Sequence, residues 1–178
     1  MMSRSNEGRG PLYRVYINRL RRSLDPDSVP KHVAMMIDGN RRWARQLGFD
    51  SPADGHRAGA AKMREFLEWC DEVGVQVVSL YLLSNDNVTK RDSREIADLI
   101  EIIAELADEL SRYRDWKVQH VGSTAGLPDG LVAVLDAAQE RTKHNPGMHV
   151  NLAVGYGGRR EIVDAVRSII VADDQEGG

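Results

Sequence analysis

Asp38-Gly39-Asn40-Arg41-Arg42 is the stretch of this chain whose residue types are best suited to chemistry. A carboxylate can hold a divalent metal ion, and two guanidinium groups beside it can hold phosphate oxygens in a bidentate grip. Asp-Gly-Asn is a turn signal, and the paired arginines follow at the start of a helix, where backbone N–H groups also favour anions. Before them runs His32-Val33-Ala34-Met35-Met36-Ile37, apolar without alternation, which reads as a buried strand. The chemistry this suits is the binding of a magnesium-bound diphosphate at a strand's carboxyl end. The bland alternative is that Asp38 caps the next helix and Asn40 fills the turn. The residues alone leave both readings open.

Two further clusters have similar character. Gly55-His56-Arg57-Ala58-Gly59 opens a helix bearing Met63, Phe66, Leu67, Cys70 and Val73, and a histidine with an arginine there makes an anion contact or a simple cap. The loop before it runs through Asp50, Ser51, Pro52 and Asp54 and carries no basic residue. Val75 to Leu83 reads as a second buried strand, delivering Ser84-Asn85-Asp86-Asn87 at its end. Open α/β sheets bind ligands at that edge, although SNDN also suits a helix-capping turn. Gly155-Tyr156-Gly157-Gly158-Arg159-Arg160 is a glycine-rich turn before a last helix through Ile162, Val163, Val166, Ile169 and Ile170. It matches neither a Walker loop nor a GxGxxG fingerprint, and reads as mainly structural.

The elements that must position these clusters alternate. Residues 1–10 are polar and expected to be disordered, and 11–30 form a basic helix and a linker marked by Pro26 and Pro30. In that helix Leu12, Val15, Tyr16, Arg19 and Leu20 share a face, with Arg14, Arg21 and Arg22 largely elsewhere. Such a helix can lie on an anionic membrane surface, but packing against the domain is the preferred expectation. The helix after Trp43 ends near Gly48. Ser93 to Arg112 carries Ile96, Leu99, Ile100, Ile103, Leu106, Ala107 and Leu110 at helical spacing, a face for packing on the sheet. Trp116 to Gly122 is a third strand, Pro128 opens a helix with Leu131, Val134, Leu135 and Ala138, and Met148 to Val154 is a fourth, alternating strand. The fold class is therefore α/β, a mainly parallel sheet flanked by helices, in one domain over 31–172 with a polar tail at 173–178.

Composition narrows the function. With 178 residues, 42% hydrophobic and 29% charged, the chain has material for one substantial core. A net charge of −3 argues against a general nucleic-acid binder. Cys70 is the only cysteine, so there is no internal disulfide and no cysteine-based zinc site. No apolar run approaches a membrane span and no secretory leader is evident, so the expected setting is cytoplasmic.

HVAMMIDGNRRWA closely resembles the opening signature of the cis-prenyltransferases, the undecaprenyl diphosphate synthase family. Other blocks follow in order. Gly55 to Gly59 falls where that family has its GHxxG element, and SNDN resembles its SxEN motif with Asp86 for glutamate. GYGGR resembles its NYGGR block with Gly155 for asparagine, and Tyr81-Leu82-Leu83 is most like the actinobacterial short-chain enzymes, including Z-farnesyl diphosphate synthases. The resemblance implies Mg²⁺-dependent condensation of isopentenyl diphosphate with an allylic diphosphate, forming Z double bonds. It makes Asp38 the catalytic, metal-linked carboxylate, with Ser84 and Asn87 assisting proton loss. Gly39, Asn40, Arg41, Arg42, Trp43, His56, Asn85, Asp86 and Arg91 would bind substrate. The Ser93–Arg112 helix would help wall a prenyl tunnel, and Leu82 would limit product length. Homodimers are common in the family, and contact with a membrane surface is a further expectation.

Departures from the pattern are an absent arginine before His56, Val88 in place of a tryptophan, and an extra residue before Arg91. The family continues past the point where this sequence ends, with an RTxGExRxSNF-like motif and a later glutamate. The resemblance thus implies the N-terminal part of the family domain without its C-terminal strands, and leaves the activity of this chain alone in question. Three alternatives follow: a split-site or inactive subunit, a long-chain synthase, and a nucleotide-binding α/β domain.

Overall fold

Four short runs rich in valine, leucine and methionine pair side by side into one parallel sheet: β1 (His32–Met36), β2 (Val77–Ser84), β3 (Lys117–Val121) and β4 (His149–Tyr156). Their order across the sheet is β1-β2-β4-β3. The computed structural model describes residues 10–90, 92–158, 162, 163 and 165–167, with only the backbone at Arg14, Asp86, Thr89 and Lys90. Residues 1–9 of the expected disordered start (1–10), the expected binding residue Arg91, Arg159, Arg160, and everything from residue 168, including Ile169, Ile170 and the 173–178 tail, lie outside the described residues.

Parallel strands require long crossovers, and helices supply them. These are α2 (Asn40–Gln46), α3 (Pro52–Val73), α4 (Asn85–Lys90), α5 (Ser93–Tyr113) and α6 (Asp129–Thr142), preceded by α1 (Pro11–Ser23). α5 begins where the Asp92 carboxylate accepts the Arg94 N–H at 2.9 Å, an N-cap. Its buried stripe of Ile96, Leu99, Ile103, Leu106 and Leu110 joins Met63, Leu67 and Cys70 of α3 over Val78, Leu80 and Leu83 of β2. Each fully buried aliphatic side chain there contributes roughly 1.5–3 kcal/mol, an upper estimate because unfolded chains are not fully extended. α6 packs against β3 and α5 through Leu131, Leu135 and Ala138.

Several expectations need correction. β1 is not a buried strand. Among the described residues it pairs only with β2, at the sheet edge, and leaves His32, Ala34 and Met36 exposed, Met36 by 68%. An unbroken apolar run does not reveal which strand has a neighbour on both sides. β4 is nearly continuously buried rather than alternating, because it sits between β2 and β3. α1 does not bury its apolar face: Leu12 is 85% exposed, and Val15, Tyr16 and Leu20 are exposed with it. An ion pair from Arg21 to Glu72 of α3 ties it to the domain. α3 begins three residues before the expected glycine, because Ser51 accepts the Ala53 N–H and Pro52 fits the first helical position. The helix-capping reading of Ser84-Asn85-Asp86-Asn87 does hold: Ser84 ends β2 and caps α4, which starts at Asn85.

Candidate functional site

Asp38 follows β1 at the carboxyl end of the sheet, and Gly39 turns the chain into α2 with φ +91°, a conformation that L side chains rarely adopt. The Asp38 carboxylate accepts the Gly39 N–H through Oδ1 at 2.6 Å, and among the described residues its other oxygen holds no hydrogen bond. The first turn of α2 is pressed onto α3. A Cβ on Gly55 would lie 2.3 Å from the Asn40 carbonyl oxygen, and one on Gly59 would lie 2.8 Å from the Asn40 Nδ2. Two glycines one turn apart therefore form the notch that holds Asn40.

His56, between those glycines, is only 6% exposed. Its Nε2 is 3.3 Å from Oε1 of Glu95 on α5, and the same oxygen is 3.5 Å from Nε of Arg41 on α2. One carboxylate thus ties three helices together around the site.

Two cavities meet there. One, of about 310 Å³, has Asp38, Asn40, His56, Ser84 and Asn87 among its lining residues, together with Met63, Leu83, Leu99, Ile102, Ile103 and Leu106. Leu82, Tyr81 and Tyr156 also line it, the two tyrosine rings lying edge to face at 4.8 Å. Burial, and secondarily the neighbouring Tyr81, push the Tyr156 hydroxyl above its usual pKa. The other cavity, of about 380 Å³, is lined by Ile37, Asp38, Gly39, Asn40, Arg41, Arg42, Arg45 and His56. Ile37, Asp38, Asn40 and His56 belong to both. An apolar chamber and a basic pocket therefore share one polar seam, which suits a molecule with a hydrocarbon tail and an anionic head.

The other expected site residues fall as follows. Ser84 Oγ accepts the Asn87 N–H at 3.2 Å and so caps α4, while both side chains line the apolar chamber. Asn85 packs against Gly157 and lines neither cavity. Asp86 lies in α4, with only its backbone described. Trp43 stacks on Phe49 with ring centroids 5.7 Å apart and lines neither cavity. Arg57 is drawn instead to Glu101, at 3.8 Å. Arg45 and Glu95 were not singled out from sequence, whereas Tyr156 belongs to the glycine-rich turn read as mainly structural and supporting the pocket, which it lines. Arg45 had a signal, its position one helical turn after Arg41. Glu95 had none, since its partners are remote in the chain.

For a metal ion, Asp38 is the carboxylate available at the seam. Among the described residues no group of three or more histidine, cysteine, aspartate or glutamate side chains could hold one. That donor set does not suit an all-protein metal cage, but it fits Mg²⁺, which characteristically takes one or two carboxylates and completes its shell with water and substrate phosphates.

Fold and site together define an α/β protein with an amphiphile-shaped site at the carboxyl edge of a parallel sheet. A family model described as "Putative undecaprenyl diphosphate synthase" matches residues 36–177, and the chain belongs to that family of prenyltransferases. It is 50% identical over 167 residues to the "(2Z,6E)-farnesyl diphosphate synthase" of Thermobifida fusca, covering 94% of this chain and 65% of that protein. It is 47% identical to "Isoprenyl transferase 2" of Tropheryma whipplei, covering 89% of this chain and 62% of that one. Among solved structures, lavandulyl diphosphate synthase from Lavandula x intermedia in complex with dimethylallyl diphosphate superimposes with a TM-score of 0.79 at 29% identity, over 84% of this chain and 65% of that one. A probable undecaprenyl diphosphate synthase from Campylobacter jejuni gives 0.64 at 28% identity, over 80% and 62%. The chain spans a little under two-thirds of the length of the curated relatives it matches. Among the described residues no helix is long and apolar enough to cross a membrane.

Proposed function

We propose that this chain carries the allylic-diphosphate site of a cis-prenyltransferase that condenses isopentenyl diphosphate with an allylic diphosphate, forms a Z double bond and makes a short product. The observation that carries this reading is the seam of Asp38, Asn40 and His56, shared by an apolar chamber and a basic pocket. The prenyl tail lies in the chamber and the diphosphate beside Gly39, Asn40, Arg41, Arg42 and His56. Trp43 supports α2 from outside the chamber, and Asn85 holds the Gly157 turn rather than the substrate.

Cleavage of the allylic C–O bond leaves its electron pair on the diphosphate. Arg41 and Arg42 hold that charge where it develops, the arrangement that lowers a barrier most. The allylic carbon bonds to the terminal carbon of the isopentenyl double bond, and a proton then leaves the isopentenyl unit. Ser84 and Asn87, at the chamber's polar end, position the group that takes it. Mg²⁺, when bound beside Asp38, neutralises diphosphate charge as a Lewis acid.

Leu82 on the chamber wall and the names of two relatives, farnesyl and lavandulyl diphosphate synthases, support a short product.

The experiment is a condensation assay with Mg²⁺, isopentenyl diphosphate and a ten-carbon allylic diphosphate, comparing the protein with Asp38→Ala. Product formation is expected to fall by two to three orders of magnitude, on the order of 10²–10³. Normal turnover by Asp38→Ala would remove Asp38 from the mechanism.

A further inference from the structure

Three guanidinium groups line the basic pocket, and their surroundings differ. Arg41 has Glu95 at 3.5 Å. Arg42 and Arg45 form no ion pair among the described residues, and both are exposed on α2. Helical side chains lean toward the N-terminus of their helix. Arg45 follows that rule: its Nε donates to the Arg41 carbonyl oxygen at 3.4 Å, directing the side chain back along α2 toward the pocket. The segment Leu47 to Gly55, which comprises the connection from α2 and the first turn of α3, contains Asp50 and Asp54 and no basic residue. The cationic wall of this pocket therefore comes from α2, and Arg45 is its far end.

We infer that Arg45 contacts the second phosphate group of the bound head and so sets the preference for a diphosphate over a monophosphate. This rests on the reading above, that the basic pocket holds a prenyl diphosphate head. Four residues along an α-helix advance about 6 Å, so Arg41 and Arg45 stand at different heights. A single phosphate at the Asp38 end meets Arg41 and Arg42. A second phosphate, extending along the helix, meets Arg45, whose planar fork donates to two oxygens at once.

The test is calorimetric titration of the chain with inorganic diphosphate and, separately, inorganic phosphate, at one fixed ionic strength. The proteins are the parent, Arg45→Gln, Arg45→Lys, Arg42→Gln and Arg112→Gln, the last altering an arginine paired to Asp108 away from the pocket. Arg45→Gln is expected to weaken diphosphate binding about tenfold and phosphate binding less than about twofold. Arg45→Lys should recover part of the loss, Arg42→Gln should weaken both anions, and Arg112→Gln should weaken neither. If Arg45→Gln leaves the ratio of the two affinities unchanged while Arg42→Gln lowers both, the role given to Arg45 is wrong and the pocket reading stands. If the parent binds diphosphate no more tightly than phosphate, the pocket reading fails and the role of Arg45 fails with it. Circular dichroism of each variant checks that the fold is intact, as expected for exposed side chains.

Discussion

Nε2 of His56 on α3 lies 3.3 Å from Oε1 of Glu95 on α5, a contact between residues 39 apart in the chain. The same carboxylate oxygen is 3.5 Å from Arg41 Nε, so it links the buried histidine of the seam to a cation of the basic pocket. Glu95→Gln keeps the shape and removes the charge. The expected result is a KM for the allylic diphosphate raised roughly three- to tenfold with a smaller change in kcat, because positioning of Arg41 and His56 is loosened. Steady-state kinetics at saturating isopentenyl diphosphate would show it, and an unchanged KM would exclude this positioning role.

The two glycines of α3 should separate stability from binding. Gly55→Ala drives a methyl group into the backbone carbonyl of Asn40, at 2.3 Å, where only helix displacement relieves the clash. A loss of about 1–3 kcal/mol, read as a lower Tm, is expected. Gly59→Ala meets the end of the Asn40 side chain, which can rotate away. It should cost less stability and more affinity for an allylic diphosphate. Equal effects of both variants on Tm would refute the distinction.

Cys70 is buried against the sheet, and burial pushes its thiol up to about 11 from 9.0. Because the folded chain holds that proton when the unfolded chain has lost it, stability falls as pH rises from about 9 to 11. Denaturant melts across that range should show the loss in the parent and a smaller one in Cys70→Ala. At pH 8 the thiol should react with an aromatic disulfide reagent far more slowly in the folded protein than in urea.

Leu82 lines the apolar chamber. Leu82→Ala should lengthen the product by one or more isoprene units, because removing the side chain leaves volume that the growing tail can occupy. Chromatography of the dephosphorylated products decides it, and an unchanged chain length would free Leu82 of this role.

Much of the fold was legible because local patterns reported it. The stripe Ile96, Leu99, Ile103, Leu106 and Leu110 announced α5, and Asp38-Gly39-Asn40 announced the turn after β1. Chain order alone could not say that β1 would be an edge strand, since Val33 and Met35 are as apolar as the residues of the central β2. It could not say that α1 would leave Leu12 and Val15 in solvent, because an apolar face does not specify what covers it.

By itself the sequence determined the α/β class, the polar clusters at strand ends and the arginines that follow Asp38. Those depend on residue types and on spacings of a few positions. Tertiary structure decided that Gly55 and Gly59 make the notch for Asn40, that Glu95 ties His56 to Arg41, and that Arg45 joins the basic pocket. The notch and the Glu95 tie are contacts between helices far apart in the chain, and the pocket exists only once α2 and α3 are packed, so local spacing could not encode them.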